Sequence, residues 1–314
     1  MALGDRLKKI KPLHWIYNLV HYKRLAHNRA AYRKYAIHRP VIASISSKNF
    51  PDKTSRAWLD TGDSATLAPG QESFGSFDPQ TQQQILSWSD KGYMILRGWF
   101  DVNTTDAIQQ EVERLVAHGK LRPTHDNKLM FANRMSSIVR DITFDARLTG
   151  LLDFVLGTEV IPFQTINFLY GSNQRAHSDS IHMTTYPLGY LIAVWIALED
   201  TTPENGPLFY YPGSHKLPYL LNSDFNEGET ALQLGKKTYV DYEDRIEETI
   251  RKEHLQRDIF LAKKGDVLVW HANLIHGGLP VVNPALTRKS MVIHYYGKDV
   301  IKYHEITERP SLLK

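Results

Sequence analysis

The sequence of 314 residues contains no cysteine. A chain without thiols can form neither a disulfide framework nor a thiolate metal site, and it offers no cysteine nucleophile. Any metal ion must therefore be bound by histidine, aspartate or glutamate. The sequence also lacks an apolar run of the roughly 18 residues that a membrane-spanning helix needs. Because no signal-peptide pattern follows the basic N-terminus, we expect a cytoplasmic protein.

Acidic residues are scarce in the first 39 positions, which hold ten lysines or arginines and a single acid, Asp5. The rest of the chain has 28 basic against 33 acidic residues, so the excess positive charge belongs to this arm. Apolar residues recur at helical spacing over residues 6–36, which predicts one or two basic amphipathic helices.

Two roles for this arm remain open. It packs against the body of the protein or a second subunit, or it adsorbs to anionic lipid and brings the protein to the inner face of a membrane. A nucleic-acid partner is not expected, because the basic residues are confined to the arm. The sequence does not predict an oligomeric state.

Beyond the arm, the composition and periodicity of the sequence change twice. Residues 41–78 gather Ser, Pro, Gly, Asp and Thr without a period, as an irregular connector does. Helical patterns follow at 79–91, 104–118 and 144–156, with a strand at 92–97 between the first two. Short apolar strands then dominate, interrupted by a charged helix at 241–257. The strands after the helices are predicted at 160–170, 191–198, 208–211, 266–271 and 289–296.

This order predicts an α+β protein that is mainly β, with strands closed as a barrel or jelly roll and flanked by helices. We expect a basic helical arm at 1–40 and the connector at 41–78. The main domain is expected at 79–304, followed by a C-terminal tail at 305–314.

Three residues have the chemistry of an iron site. His177 and Asp179 lie two positions apart, so on a strand both side chains project to the same face. His276 follows much later, where a strand ends near a Gly-rich turn. Two imidazoles and one carboxylate form the facial triad that binds Fe(II) and leaves positions open for oxygen and a co-substrate. Arg288 opens the next strand, and its guanidinium is suited to bind the distal carboxylate of 2-oxoglutarate with two parallel hydrogen bonds.

Other histidines compete for the role of metal ligand, namely His182, His215, His271 and His294. His271 lies in the interior of a predicted strand and His215 in a turn, so we interpret both as structural residues or as supports for the ligands.

The sequence blocks around these residues closely resemble the phytanoyl-CoA dioxygenase family. The resemblance covers roughly residues 79–297 and does not extend to the basic arm. It implies a double-stranded β-helix, the cupin-like jelly roll, with Fe(II) at His177, Asp179 and His276. It also implies 2-oxoglutarate and O2 as co-substrates, with Arg288 as the anchor of 2-oxoglutarate. The blocks are His177-Ser178-Asp179, 187–189, 194–200, 204–206, 212–216 and 265–278.

The resemblance assigns further roles. Trp195 matches a residue that lines the 2-oxoglutarate pocket, although core packing explains a Trp in an apolar strand equally well. Arg134 falls where the family often has a basic contact to the co-substrate. Halogenating relatives lack the carboxylate, so Asp179 favours hydroxylation. The small hydroxyl residue that many members have two positions after the distal histidine is replaced by Gly278.

The implied activity is a dioxygenase that hydroxylates an unactivated C–H bond of a small-molecule or lipid-like substrate while 2-oxoglutarate becomes succinate. The alternative is a non-catalytic jelly roll that binds a metal or another ligand, because a fold alone does not establish an activity.

Overall fold

The computed structural model describes residues 9–50, 56–124, 127–225 and 227–313. Its strands are antiparallel and form three sheets. Within these residues the strands are Tyr93–Leu96 (β1), Leu129–Met130 (β2), Val160–Phe168 (β3), Thr184–Tyr186 (β4), Leu191–Ala197 (β5), Leu208–Tyr210 (β6), Asp258–Phe260 (β7), Val267–His271 (β8), His276–Gly278 (β9), Ser290–Gly297 (β10), Ile301–His304 (β11) and Arg309–Pro310 (β12).

The largest sheet has six strands in the order β1-β8-β5-β10-β3-β2. Two smaller sheets have the orders β12-β11-β4 and β7-β6-β9. These antiparallel sheets with flanking helices are consistent with the predicted jelly roll. The predicted strands correspond to β1, β3, β5, β6, β8 and β10.

Ten α-helices are described, and those at 102–117 and 146–156 pack against one face of the six-stranded sheet. The predicted helix at 79–91 is divided at Ser87 into two helices, and the charged helix predicted at 241–257 begins and ends earlier. The helices are Lys11–Val20 (α1), Ala26–Lys34 (α2), Ser64–Leu67 (α3), Pro79–Leu86 (α4), Trp88–Lys91 (α5), Val102–Ala117 (α6), Ser137–Ile142 (α7), Ala146–Leu156 (α8), Asn222–Phe225 (α9) and Tyr239–Lys252 (α10).

Alternation along the central strands separates two apolar cores. On β5, Val194 and its neighbours of the same parity pack against α6 and α8, which contribute residues such as Val112 and Leu151. Trp195 points to the other side, where it meets residues of β6 and β7, including Phe260. Because successive side chains of a strand face opposite ways, one strand serves both the helical layer and the jelly-roll interior. The interior is where the candidate site lies.

The arm and the connector pack against the rest of the chain. Lys11 is buried and forms ion pairs with Glu229 and Glu308, at 2.5 Å and 2.7 Å. The backbone of Lys302 on β11 is bonded by the side chain of Asn28 from α2. From the connector, Leu59 is fully buried in the helical core. The domain boundaries at residues 40, 78 and 304 stay predictions, and the described residues of the arm and the connector make these contacts across them.

No helix in the described part of the chain is both long and apolar enough to cross a bilayer.

Candidate metal centre

Two histidines meet as a cross-strand pair at the centre of the interior. His276 begins β9, and its backbone exchanges two 2.9 Å hydrogen bonds with His177 in an isolated antiparallel bridge. Residues paired in this way carry their side chains on the same face. The two imidazole rings accordingly lie 4.5 Å apart between centroids. Backbone pairing therefore fixes the separation of two candidate ligands that are distant in sequence.

Asp179 completes the group from the first turn of a short 3-10 helix, Asp179–Ile181. The segment before it is fixed by α10, since Ser178 donates its backbone N–H to the hydroxyl of Tyr242 at 3.1 Å. His177, Asp179 and His276 are all buried, and one ligand atom of each lies within 4.8 Å of the others. Asp179 thus does not lie on a strand, the condition under which the sequence placed its side chain on the same face as that of His177, yet its carboxylate still faces the histidines.

The hydrogen bonds of both histidines leave their Nε2 atoms facing Asp179. The Nδ1 atom of His177 lies 2.8 Å from the carbonyl of Arg175, and that of His276 lies 2.9 Å from the carbonyl of Leu274. These bonds select the tautomer in which Nε2 carries a lone pair. The Nε2 atoms lie 4.0 Å and 3.8 Å from Asp179 oxygens, too far for a hydrogen bond. A metal ion can accept lone pairs that converge in this way.

The electrostatics of the group favour its ligand forms. Burial, and then the proximity of His276, lower the pKa of His177 to about 3, so its imidazole is neutral at neutral pH. Burial by itself raises the pKa of Asp179, but His276 and a hydrogen bond from His294 outweigh it and hold that pKa below its usual range. Metal ligands must be deprotonated, and both groups meet this condition.

Arg288 lines the same cavity, which has a volume of about 340 Å³ and is called the inner cavity below. The side chain is 2% exposed, and its Nε has no hydrogen-bond partner among the described residues. Burial lowers the pKa of Arg288 to about 10, with Glu199 acting in the opposite direction. A buried cation whose donor is unsatisfied is costly, and a bound carboxylate offsets that cost.

Trp195 also lines the inner cavity, and its indole N–H lacks a partner among the described residues. Its ring lies 5.6 Å from the Arg288 guanidinium. Trp195 therefore packs in the core and also borders the cavity, so both sequence interpretations describe part of its environment.

Arg134 lies elsewhere. It lines an adjoining cavity of about 330 Å³, called the outer cavity below, and its guanidinium stacks 3.7 Å from the ring centroid of Phe131. Among the described residues that line the inner cavity, Arg134 is absent. The contact between Arg134 and 2-oxoglutarate stays a prediction, and the position of Arg134 outside the inner cavity does not favour it.

His271 and His215 belong to a second, separate group. The Nε2 atom of His271 lies 2.9 Å from a carboxylate oxygen of Asp60, and the His215 ring is 5.3 Å from that of His271. Neither histidine lines the inner cavity as described.

Two further residues contact Asp179: Trp270, to which the sequence assigned no role, and His294, which the sequence offered only as a competing histidine. Trp270 of β8 donates its indole N–H to Oδ2 at 2.8 Å, and the Nε2 atom of His294 lies 3.5 Å from the same oxygen. A signal for His294 was present, because it has the same parity as Val292 on β10 and as Arg288 two residues before that strand, and all three line the inner cavity. No comparable signal identified Trp270, since its contact depends on which residue of β8 faces the short helix.

The glycine that replaces the expected hydroxyl residue lies beside Ser172. A Cβ added to Gly278 would lie 2.3 Å from the hydroxyl oxygen of Ser172, so the serine side chain would have to rotate away from position 278. Ser172 lines the inner cavity. A hydroxyl group is therefore present beside position 278, supplied by another segment.

Comparisons with known proteins agree with this site. Residues 88–290 match the family described as Phytanoyl-CoA dioxygenase (PhyH). The ectoine dioxygenase of Sphingopyxis alaskensis is 24% identical over 224 residues, which cover 66% of this chain and 72% of that protein. The ectoine dioxygenase of Nocardia farcinica is 25% identical over 221 residues, covering 64% and 73%.

A solved structure supports the fold. EctD from S. alaskensis, crystallised with 2-oxoglutarate and 5-hydroxyectoine, superposes with a TM-score of 0.56 at 20% identity, covering 81% of this chain and 86% of that one. At this identity the likeness concerns the fold alone. The family match spans more than half of the chain and confirms the resemblance read from the sequence. The protein therefore belongs to the phytanoyl-CoA dioxygenase family and is a 2-oxoglutarate-dependent iron dioxygenase.

Proposed function

We propose that this protein hydroxylates an unactivated C–H bond of a small-molecule or lipid-like substrate, with iron bound by His177, Asp179 and His276. The observation that carries the proposal is the convergence of two lone pairs and a carboxylate in a cavity that also holds a buried, unsatisfied arginine. When bound, iron would activate O2, which is the oxidant: one oxygen atom would end in succinate as 2-oxoglutarate loses CO2, and the other in the hydroxyl group of the product.

The residues of the chain bind and orient these groups. Arg288 offers its guanidinium edge to the distal carboxylate of 2-oxoglutarate, and Trp195 forms the wall beside it. Ser172 offers the hydroxyl contact that position 278 lacks. Asp179 occupies the position that halide takes in halogenating relatives, which favours hydroxylation.

The alternative of a non-catalytic jelly roll loses support from the same geometry. A degenerate site is expected to lose a ligand, whereas all three ligand residues are present and free of direct hydrogen bonds to one another. The lining of the inner cavity also includes the apolar side chains of Met130, Ile166 and Val292, as suits a substrate with a hydrocarbon portion.

A spectroscopic experiment tests the proposal. Anaerobic addition of Fe(II) and 2-oxoglutarate should produce the weak visible charge-transfer band of the chelate. Arg288→Ala should weaken 2-oxoglutarate binding strongly while iron remains bound, because a charge-assisted bidentate contact is lost. Ser172→Ala should weaken it less, because a single neutral hydrogen bond contributes less. Absence of the band in protein fully loaded with iron would contradict the proposal.

We also propose that the arm docks on an anionic membrane surface. Helix α1 buries polar residues, Lys11 and Asn18, and exposes apolar ones. Ile16, Leu19 and Val20 are 61%, 59% and 75% exposed. An exposed apolar face of this kind marks an interaction site. The polar contacts that hold α1 explain its orientation, since the amide of Asn18 donates to the carbonyl of Ile42 at 2.9 Å.

Charge supports a lipid occupant for this face. The next segment exposes basic side chains and no acidic ones among the described residues 21–40. Apolar side chains beside lysine and arginine are typical of peripheral binding to anionic lipids. Residues 6–8 of the predicted segment lie outside the described residues. The exposed basic residues are Lys23, Arg29, Arg33, Lys34 and Arg39.

Vesicle sedimentation of the full chain tests the membrane proposal. A variant with Ile16→Glu and Val20→Glu should lose binding to phosphatidylglycerol vesicles, and the wild type should not bind pure phosphatidylcholine. Val282→Glu is the matched control, because Val282 is equally exposed, at 72%, outside the arm. Equal sedimentation of the arm variant and the wild type would refute docking through α1.

A further inference from the structure

The outer cavity adjoins the inner cavity and shares part of its wall. Gln164, His182, Met183 and His304 line both. One elongated molecule can therefore extend from the neighbourhood of the iron ligands into the outer cavity.

Three arginines from separate parts of the chain line the outer cavity. Arg24 comes from the segment between α1 and α2, Arg134 from the loop before α7, and Arg309 from β12. No aspartate or glutamate is among the described residues of this lining. Within the described chain, none of the three guanidinium groups forms an ion pair. Three positive charges thus surround one concavity without a carboxylate to balance them.

The contacts of these arginines orient them without neutralising them. Arg24 donates to the backbone carbonyls of Leu312 and Leu313, at 3.3 Å and 3.4 Å. Arg134 stacks on an aromatic ring, and Arg309 lies 5.0 Å from the ring centroid of Tyr17. Stacking uses the face of a guanidinium and leaves its edge, where the N–H donors lie, available for a ligand.

Electrostatic strain accompanies this arrangement. Burial, and then the charge of Arg24, lower the pKa of Arg134, and burial lowers the pKa of Arg309. Burial, followed by the charge of Arg309, lowers the pKa of His304 to about 4, so this imidazole on the shared wall is neutral at neutral pH. An anion in the cavity would relieve the repulsion among the guanidinium groups and accept their hydrogen bonds.

We propose that the outer cavity binds an anionic group, a carboxylate or a phosphate, of the substrate whose C–H bond is presented in the inner cavity. The inference rests on the proposed hydroxylase function. It defines the substrate as an amphiphile with an apolar portion near the iron ligands and an anion at Arg24, Arg134 and Arg309.

Calorimetric titration of the holoenzyme, loaded anaerobically with Fe(II) and 2-oxoglutarate, tests this subsite with simple probes. Octyl phosphate or octanoate should bind at least about tenfold more tightly than octanol, because hydrogen bonds to charged groups are gained. The tighter of the two anionic probes identifies the preferred group. The charge-transfer band should persist during the titration, which shows that the probe has not displaced 2-oxoglutarate from Arg288.

Variants locate the binding. Arg134→Gln combined with Arg309→Gln should lower the affinity for the preferred anion by about tenfold or more, with the affinity for octanol unchanged. Arg33→Gln is the matched control, since Arg33 is an exposed arm residue outside the cavity lining. Octanol binding as tightly as both anions, or an unaltered affinity in the double variant, would overturn the proposal.

The outcome is separable from that of the proposed function. A protein that forms the normal band but binds the probes without regard to charge retains the hydroxylase function and loses the subsite. A protein that never forms the band loses the function itself. The variant with Arg134→Gln and Arg309→Gln should retain the band, because neither arginine lines the described inner cavity.

Discussion

Two His-Asp-His groups lie in the part of the chain that the structure describes, and of these two the group around Asp179 has the geometry of a metal site. Around Asp179, the histidine Nε2 atoms lie 3.8 Å and 4.0 Å away. Around Asp60, the Nε2 atom of His271 lies at 2.9 Å and is hydrogen-bonded to the carboxylate directly. Each aspartate also accepts an indole N–H, from Trp270 and Trp88 respectively. The two groups thus share residue types and supporting donors and differ in spacing.

The spacing decides what each group can do. In the second group, the carboxylate and imidazole satisfy each other, so the pair stabilises the fold. In the first group, the histidines direct Nδ1 to backbone carbonyls and leave Nε2 for a ligand. A metal site is therefore recognised by ligand atoms that are oriented but unsatisfied, and residue type alone does not distinguish it.

Removing a ligand residue of the first group should have the largest effect of all, the loss of iron binding. Asp179→Ala should abolish stoichiometric iron binding, a loss larger than the roughly 100-fold that removal of a supporting residue costs. His177→Ala should do the same. Metal analysis of the purified protein and titration with Fe(II) measure the effect.

The matched control is Asp60→Ala, which removes the carboxylate of the second group. Iron binding at one ion per chain should persist in this variant. Iron retained by Asp179→Ala, or lost from folded Asp60→Ala, would reverse the assignment of the two groups.

For the free energy of unfolding, we expect the reverse: Asp60→Ala should have the larger effect and Asp179→Ala the smaller. Asp60→Ala should lower the free energy of unfolding by about 3 kcal/mol, because His271 loses a buried, charge-assisted partner. In metal-free protein, Asp179→Ala should cost less, since His177 and His276 make no direct hydrogen bond to Asp179. Urea unfolding followed by tryptophan fluorescence compares the two. An equal loss at both positions would show that spacing does not separate them.

Much of the fold was predictable because alternation along a strand is a local signal. Strands β5, β8 and β10 are apolar and long enough to show it, and the sequence placed each within one or two residues. Strands such as β7 and β9 have three residues, and their existence depends on pairing with β6 across the chain. Neither is an apolar run in the sequence, since β7 begins with Asp258 and β9 is His-Gly-Gly, so both were missed, whereas the equally short but apolar β6 was predicted.

The candidate site was predictable where one segment holds the chemistry. His177 and Asp179 lie in one sequence block, and Arg288 follows His276 by twelve positions in the sequence. Asp60 and Trp270 were not assigned roles, because their contacts are made between segments distant in sequence. The position of Arg134 in the outer cavity depends on how the arm and the C-terminal tail pack beside it, which no motif records.

Acid should lower the free energy of unfolding through His215, a member of the second group. Burial, then the charge of His271, lower the pKa of His215 to about 3 from an ordinary value of 6.5. The unfolded chain binds the extra proton, so this contribution is present above pH 6.5 and is lost as the pH falls. Between about pH 7.5 and about pH 5 the loss should be roughly 2 kcal/mol from this residue.

His215→Gln should therefore show a smaller fall in unfolding free energy over that pH range than the wild type. Both proteins should be measured metal-free, so that iron release does not contribute. Other buried histidines, including His182 and His304, keep part of the acid dependence in the variant. Identical pH dependence in the two proteins would show that His215 is not held neutral by its surroundings.

The smallest effect should come from the indole donors, which the two groups share. Trp270→Phe removes the 2.8 Å hydrogen bond to Asp179 and should weaken Fe(II) binding by about tenfold, because the carboxylate is then less firmly oriented. Trp88→Phe removes the corresponding 3.3 Å bond to Asp60 and should leave Fe(II) affinity unchanged. Both substitutions exchange one buried indole for a phenyl ring, so the loss of core volume is matched between them. Competition titration with a chelator measures both affinities. Equal Fe(II) affinities in the two variants would show that the hydrogen bond from Trp270 does not contribute to iron binding.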